Sequence, residues 1–338
     1  MRARVGLLVG GLMISIGCRG EAREQVAAAE PSVFADEQAE PFTRLRAFAE
    51  GPTWHPDGYL LFTDIGNNRM LIYRRGVSTL EVFAEPSGRA AGTALDAQGR
   101  LVACEGNEYG IGGRALVRWD LATRTREVIV DRYEGKRFNS PNDLAIDREG
   151  RIYFSDPHYY EDPFAEIVQL DAEAVYRVDP DGSDLIRVLG PEQVLRPNGV
   201  ELSLDERTLY VTDTTIDGIQ RLYAFALDEQ GLATGERELI YDFGTGRGGD
   251  GMCMDAAGNL FVGAGTHRPP GALHDQPAGL HVFGPSGEPI QTLAIDDYTI
   301  TNCTHGGGDG KTIFITGAGF LWKIRGLHPG ARHATEPG

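Results

Sequence analysis

Side chains that could bind a hard metal ion recur along this sequence at similar intervals. The set is Glu50, Asn142, Asn198, Asp250 and Asn302. Carboxylate and amide oxygens are the ligands that Ca²⁺ takes, with waters completing six to eight ligands, whereas zinc sites draw on His or Cys. If the fold brings these residues together, they predict a calcium site in which the ion could also act as a Lewis acid.

Each of these residues occupies the same place in an internal repeat. It lies eight residues before a turn residue, and the six turn residues are Gly58, Gly99, Gly150, Glu206, Gly258 and Gly310. In the second copy the corresponding position holds Ala91, so five of the six copies carry an oxygen ligand. We call these six places the ring positions, because a shared place in a repeat becomes a shared place in a symmetrical fold.

The repeating unit predicts the fold. It is an apolar strand, a turn that mostly ends in glycine, and a second strand rich in β-branched and aromatic residues. Short strands at regular spacing are typical of an all-β protein, and six units of this size predict a six-bladed β-propeller with four-stranded blades over residues 42–326. The last copy lacks a fourth strand, so the run at residues 42–49 is expected to close the ring as its outer strand.

A simpler explanation is available for any one of the ring residues. Asn and Asp at the start of a strand commonly cap a turn through their own backbone. For a single residue that explanation is preferable. The presence of an oxygen ligand at five of the six ring positions, with acids at Glu50 and Asp250, favours instead a shared ligand site at the mouth of the central channel.

The N-terminal segment has the features of an export signal. Two arginines in residues 1–4 precede an almost wholly apolar run at residues 5–16, which is too short to cross a bilayer, since a spanning helix needs about 20 residues. Residues 1–18 are therefore assigned to a signal peptide, and the protein is expected to be periplasmic or lipid-anchored to the cell envelope. Residues 15–18 resemble a lipobox, so lipidation of Cys18 and plain secretion both remain open.

The remaining composition sets further limits. Residues 19–41 are predicted to be a disordered tether, and residues 327–338 a tail. The net charge of −17 argues against nucleic acid as a partner, and a membrane is expected only through a lipid on Cys18. No Cys-x-x-Cys pair is present, and Cys104, Cys253 and Cys303 are predicted to be buried free thiols. The sequence gives no oligomeric state.

Four motifs together resemble one known family. They are Glu50-Gly51-Pro52-Thr53-Trp54, Arg137-Phe138-Asn139-Ser140-Pro141-Asn142-Asp143, Arg196-Pro197-Asn198-Gly199 and Asp250-Gly251-Met252. In this order they are similar to the gluconolactonase/regucalcin/luciferin-regenerating family, over about residues 42–325. The resemblance implies a six-bladed propeller with one catalytic divalent cation, usually calcium, that hydrolyses sugar lactones.

The resemblance also implies roles for individual residues. Glu50, Asn198 and Asp250 would be metal ligands, and Asn142 would be a fourth ligand or a substrate contact. Asp250 would be the catalytic carboxylate that activates water, while Ca²⁺ polarises the lactone carbonyl. Arg137 would lie near the substrate. Mg²⁺, Mn²⁺ and Zn²⁺ are alternatives to calcium.

Other residues are candidates for contact with the substrate. His158 and Tyr159 follow the end of a second strand and could line the pocket, although packing in a surface loop explains them equally well. Asn302 occupies the last ring position, and His305 follows it by three residues.

Two other functions fit the same residues. One is hydrolysis of another ester class, such as an organophosphate, at the same metal site. The other is a non-catalytic propeller whose metal ion is structural. The sequence contains no Gly-x-Ser-x-Gly motif, which argues against a serine esterase.

Overall fold

The computed structural model describes residues 32–45, 48–107, 110–158, 168–214, 220–244, 247–266 and 277–331. These residues form six four-stranded antiparallel sheets and one two-stranded hairpin. The predicted fold, an all-β six-bladed propeller with four-stranded blades, is confirmed. Among these residues there is no helix of the length and hydrophobicity that crossing a membrane requires. The predicted signal peptide at residues 1–18 lies outside the described residues.

In blades 1 to 5 the four strands follow one another in chain order from the channel outward. Blade 1 consists of β2 (Ala49–His55), β3 (Tyr59–Asp64), β4 (Arg69–Arg74) and β5 (Glu81–Ala84). Blade 2 consists of β6 (Ala90–Leu95), β7 (Leu101–Glu105), β8 (Ala115–Asp120) and β9 (Thr125–Val130). A hairpin of β10 (Arg132–Tyr133) and β11 (Lys136–Arg137) precedes blade 3.

The second half of the chain repeats this arrangement. Blade 3 consists of β12 (Leu144–Ile146), β13 (Ile152–Asp156), β14 (Ala174–Val178) and β15 (Ile186–Leu189). Blade 4 consists of β16 (Pro197–Leu202), β17 (Thr208–Thr214), β18 (Gln220–Leu227) and β19 (Ala233–Gly244). Blade 5 consists of β20 (Gly249–Met254), β21 (Leu260–Ala264), β22 (Gly279–Phe283) and β23 (Pro289–Ala294). Blade 6 consists of β24 (Ile300–Gly306), β25 (Thr312–Gly317), β26 (Phe320–Arg325) and β1 (Glu40–Arg44).

Blade 6 is completed by both ends of the propeller sequence. β1 pairs antiparallel with β26, with Glu40 opposite Lys323 and Arg44 opposite Phe320. The prediction of a closing strand is confirmed, although this strand begins at Glu40 rather than at residue 42 and ends before residue 49. The pairing covers an edge of blade 6 that would otherwise expose unpaired backbone groups.

Residues beyond the predicted limits of the propeller also pack against it. Phe34, in the segment predicted to be a disordered tether, is buried, and its ring lies 5.8 Å from that of Phe261. In the predicted tail, the amide of Leu327 donates to the carbonyl of Val33 at 3.0 Å. The domain therefore extends past residues 42 and 326. Burial of Phe34, which the polar composition of its segment obscured, and a hydrogen bond from the amide of Ala35 to the carbonyl of Arg325 at 2.8 Å hold the N-terminal extension in place.

The hydrophobic core lies between neighbouring blades rather than on the channel axis. Six clusters of buried side chains each fill the space between two adjacent sheets. Leu61 and Val117 meet between blades 1 and 2, and Val175 and Leu209 meet between blades 3 and 4. Because the apolar residues point between the blades, the channel is left to the polar side chains of the inner strands.

The turn after each inner strand has the same backbone conformation in all six blades. The turn residues have φ values of 87°, 73°, 84°, 59°, 85° and 69°, in the order Gly58, Gly99, Gly150, Glu206, Gly258 and Gly310. Side chains rarely adopt this left-handed region, which explains why glycine holds five of the six positions. The common turn fixes the register between the first two strands of each blade, so the ring positions fall at equivalent places.

Hydrogen bonds from one blade to the next hold the backbone at the ring positions. In blade 1, Thr63 Oγ1 donates to the carbonyl of Ala91 in blade 2 at 3.0 Å. In the same way, the hydroxyl of Ser155 in blade 3 donates to the backbone carbonyl of Asn198 at 2.5 Å. The hydroxyl of Thr212 in blade 4 donates to the backbone carbonyl of Asp250 at 2.8 Å. These hydroxyls belong to the second strands of the repeat, and they align each inner strand with its neighbour.

The prediction of three free thiols is wrong for two of the cysteines. Cys253 and Cys303 form a disulfide, with their Cα atoms 5.7 Å apart. They lie on β20 and β24, the inner strands of adjacent blades, and their separation of 50 residues in the sequence gave no sign of this contact. Cys104 is buried and free, as predicted.

Removing this disulfide should destabilise the protein. A cross-link between distant residues restricts the unfolded chain, so Cys253→Ala/Cys303→Ala should lose about 2–4 kcal/mol of unfolding free energy in a denaturant titration. Reductant should lower the unfolding midpoint of the wild type and of a Cys104→Ala control, but not that of the double variant. Alkylation of Cys253 and Cys303 in unreduced, unfolded protein would contradict the assignment.

Candidate metal and active site

Four ring residues come together at one end of the channel. The four residues are only 5–8% exposed, and they are Glu50, Asn198, Asp250 and Asn302. Asn302 Nδ2 donates to Glu50 Oε2 at 3.1 Å, the Asn198 side chain is hydrogen-bonded to Asp250, and the Glu50 and Asp250 carboxylates interact electrostatically. The repeat therefore brings residues from blades 1, 4, 5 and 6 to one site.

Glycines allow the inner strands to approach this closely. A glycine follows the ring position in four blades, at Gly51, Gly92, Gly199 and Gly251. A Cβ atom on Gly199 would lie 2.2 Å from the carbonyl oxygen of Asp250, and one on Gly251 would lie 2.0 Å from Asn302 Nδ2. Both distances are far shorter than real contacts, so a side chain at either place would push the ring apart.

Bulges in the inner strands aim the ring side chains. The register between the first two strands shifts next to Glu50 in blade 1, and between Pro197 and Val200 in blade 4, where Asn198 lies. The same shift occurs between Gly249 and Met252, around Asp250. A bulge turns a side chain away from the regular alternation of a strand, and here it turns residues of core-forming strands toward the channel.

The electrostatics of the site are dominated by buried carboxylates. Burial raises the pKa of Glu50 well above its usual value, and the charges of Asp250 and Asp143 raise it further, against hydrogen bonds from Gly51 and Asn302. Burial also raises the pKa of Asp250, although Arg247 and Asn198 oppose the shift. Acids crowded in this way favour a bound proton or cation between them.

Sequence reasoning did not assign a role to Asp143, which belongs to the same acidic group. Burial raises its pKa to about 8, and the charges of Glu201 and Asp250 contribute to the rise, while backbone amides oppose it. Asp143 stands directly after a ring position, where four other blades have glycine. Its place at the end of the motif at residues 137–143 was the sequence signal that could have identified it.

Arg247 was also missed. Its guanidinium forms an ion pair with the carboxylate of Asp250 and lies 5.6 Å from the ring centroid of Phe48. It lies three residues before a ring position, in a loop whose length varies between blades, so the repeat carried no signal for it.

The loop before Asn142 is held by a second buried carboxylate. Asp156 accepts hydrogen bonds from the backbone amides of Asn139 (2.9 Å) and Ser140 (2.7 Å), and burial raises its pKa to about 7. The backbone amide of Asn142 donates to the carbonyl of Ser155 at 3.0 Å. Asn142 is half-buried, and its carbonyl accepts a hydrogen bond from the backbone amide of Gly92 at 2.6 Å, which places it beside the ring position of blade 2.

The other predicted substrate contacts lie in different surroundings. Arg137 bonds to the carbonyl of Gly113 and lies 3.6 Å from Asp131. The backbone amide of His158 donates to Glu173 at 2.7 Å. Tyr159 lies outside the described residues.

His305 faces the core rather than the ring. Its ring lies 5.4 Å from that of Phe261, and Gly330 lies against its Cβ. At about 3.3 Å per residue, it is roughly 10 Å along β24 from Asn302.

The donor set resembles an oxygen-ligand site more than a His or Cys site. No group of three or more His, Cys, Asp or Glu side chains among the described residues is arranged to hold a metal ion. The ring instead combines two carboxylates with amide side chains. The positive charge near these buried carboxylates is too small to neutralise both of them. This chemistry fits a hard divalent cation such as Ca²⁺ better than zinc.

The fold and the site define a six-bladed propeller with carboxylate and amide side chains gathered at one mouth of its channel. The family described as SMP-30/Gluconolactonase/LRE-like region matches residues 48–319, and the chain belongs to this family. The family resemblance of the four motifs is thereby confirmed.

Individual relatives agree with this assignment. A gluconolactonase of Zymomonas mobilis is 34% identical over 299 residues, covering 82% of this chain and 78% of the relative. A regucalcin of Danio rerio is 28% identical, covering 80% of this chain and 82% of the relative. The solved structure of a gluconolactonase from Xanthomonas campestris is 31% identical with a TM-score of 0.68, covering 89% of this chain and 99% of that one.

Replacing Glu50 should stabilise the metal-free protein at neutral pH. A carboxylate whose folded pKa is raised binds more protons in the native state, so stability falls as pH rises above the unfolded value near 4.5. In a chelator, Glu50→Gln should therefore raise the melting temperature, by about 2–4 °C for each kcal/mol gained. The gain should shrink as the pH falls below 4.5, where Glu50 becomes protonated in the unfolded state as well.

Thermal unfolding at several pH values measures this effect, with exposed Glu229→Gln as the control for loss of one charge. A Glu50→Gln variant that is less stable than the wild type at pH 7 in chelator would show that the carboxylates do not repel each other as described.

Proposed function

We propose that this protein is a metal-dependent lactone hydrolase with Ca²⁺ as the preferred cation. The observation that carries the proposal is the buried pair of Glu50 and Asp250, surrounded by amide donors at the channel mouth. Membership of a family that includes a protein named gluconolactonase supports lactones as the substrate class. A sugar lactone is the expected type.

Glu50, Asn198 and Asp250 would hold the cation, with Asn142 as a fourth ligand or a substrate contact. When bound, a divalent cation would supply Lewis-acid polarisation of the lactone carbonyl. Mg²⁺ and Mn²⁺ also take oxygen donors and are alternatives, whereas Zn²⁺ is a weaker candidate because zinc sites draw mainly on His and Cys. Asn302 is better suited to orientation than to ligation, because the backbone amide of Cys303 donates to its Oδ1 at 2.8 Å and its Nδ2 donates to Glu50.

Asp250 is proposed to act as the general base. Water attacks the carbonyl carbon of the lactone, and Asp250 accepts the proton that water loses. The ring C–O bond then breaks, and the departing oxygen takes that proton from Asp250, which gives the open hydroxy acid and restores the carboxylate. Burial supports this role, because a raised pKa makes a carboxylate a stronger base. A bound cation opposes it by favouring the ionised form.

The remaining predicted contacts form the proposed surroundings of the substrate. Arg137 lies on β11, between the outer strand of blade 2 and the inner strand of blade 3, and His158 follows β13 of blade 3. Tyr159 is the next residue in the sequence. They are candidates for binding the hydroxyl groups of the sugar ring.

A panel of lactones assayed with Ca²⁺, Mg²⁺, Mn²⁺ or Zn²⁺, and with EDTA, tests the activity. We expect lactone hydrolysis that EDTA abolishes and Ca²⁺ restores. Asp250→Asn should lower kcat by about 10²–10⁴-fold, the usual contribution of a general base. The exposed Asp242→Asn should retain wild-type kcat.

Other outcomes would point to the alternatives. Activity confined to phosphoesters would replace the lactonase with an organophosphate hydrolase. Tight cation binding without turnover of lactones, other esters or phosphoesters would leave a non-catalytic metal-binding propeller.

We also propose that the protein is exported. The apolar run at residues 5–16 and the disulfide of Cys253 with Cys303 support this, because disulfides persist mainly in oxidising compartments. If Cys18 carries a lipid, labelled fatty acid should be incorporated into the wild type but not into Cys18→Ala. Label in neither protein, with release of the wild type by osmotic shock, would indicate plain secretion.

A further inference from the structure

Arg247 lies over the acidic site and belongs to neither the ring nor its motifs. Its side chain is 32% exposed, and it is ion-paired with Asp250, which is almost fully buried. The guanidinium also lies against the ring of Phe48, which directly precedes β2 of blade 1. Since Arg247 itself precedes β20 of blade 5, the side chain reaches across the channel mouth past blade 6.

The position of this guanidinium conflicts with cation binding. It contacts Asp250 directly, and the Asn198 side chain is also hydrogen-bonded to that carboxylate. A cation ligated by Asp250 would bring positive charge to the place where the guanidinium now lies. Two positive groups cannot share this carboxylate at contact distance without strong repulsion.

We propose that Arg247 is a built-in counter-ion that competes with the divalent cation for Asp250. In the metal-free protein it neutralises one of the crowded carboxylates. When the cation binds, the side chain leaves Asp250 and swings toward solvent. The competition rests on the proposed metal dependence, whereas the counter-ion role does not.

The way Arg247 is held is consistent with such movement. Its Nε–H has no acceptor among the described residues, and the guanidinium is held by the ion pair and the Phe48 ring. The side chain is already partly exposed.

A double-mutant cycle in chelator tests the counter-ion role without any metal. Arg247→Gln should lower the melting temperature, because it leaves Asp250 buried beside Glu50 without its cation. The same substitution should have little effect in an Asp250→Asn background. An equal loss in both backgrounds, or no loss in either, would overturn the counter-ion role.

Calorimetric titration with Ca²⁺ tests the competition. Arg247→Gln should bind Ca²⁺ about 10-fold more tightly than the wild type, which corresponds to about 1.4 kcal/mol, and Arg247→Lys should be intermediate. Arg221→Gln is the matched control, because it removes an arginine paired with Asp242 at 3.0 Å on blade 4, outside the ring. Its Ca²⁺ affinity should equal that of the wild type.

The outcomes separate this inference from the proposed function. Unchanged or weaker Ca²⁺ binding by Arg247→Gln overturns the competition even if the wild type is a lactonase. If the wild type binds no divalent cation, both the competition and the proposed metal dependence are wrong. The counter-ion role is then decided only by the double-mutant cycle measured in chelator. Tighter binding by Arg247→Gln supports the competition whether or not lactones are hydrolysed.

Discussion

Burial of two carboxylates beside each other is the constraint on which this structure depends. Glu50 and Asp250 come from different blades and interact in a space that water scarcely reaches. The propeller can hold them there because its apolar packing lies between the blades and leaves the axis free. Glycines after the ring positions and hydroxyl bonds between blades bring the inner strands close enough, at a cost in stability that a bound cation would offset.

The fold and the ring could be predicted from the sequence because symmetry repeats their signals six times. Glu50, Asn198 and Asp250 stand at one offset from a turn, and the turns share one backbone conformation. Asp143 and Arg247 could not be found in this way, because each occurs in a single blade and acts through contacts that no repeat position specifies. The limits of the domain were misjudged for a similar reason, since one buried ring, that of Phe34, outweighs the polar composition around it.

Contacts between blades are the hardest to predict from a sequence. Cys253 and Cys303 pair because the bulged inner strands of blades 5 and 6 run side by side, and the spacing of the two residues does not reveal it. His305 illustrates the same difficulty. It lies only three residues from Asn302, yet strand alternation points its ring into the core against Phe261. A residue that is near a ring position in the sequence therefore reaches the site only when its side chain points toward the channel.

Glu50, Asn198 and Asp250 are proposed to bind one hard cation together. Anomalous scattering from crystals grown with Ca²⁺ would show whether they do. We expect a single strong peak with oxygen atoms of all three residues at about 2.3–2.6 Å, and the Arg247 guanidinium moved off Asp250. A channel mouth without a peak at saturating Ca²⁺, or a peak bound by other residues, would contradict it.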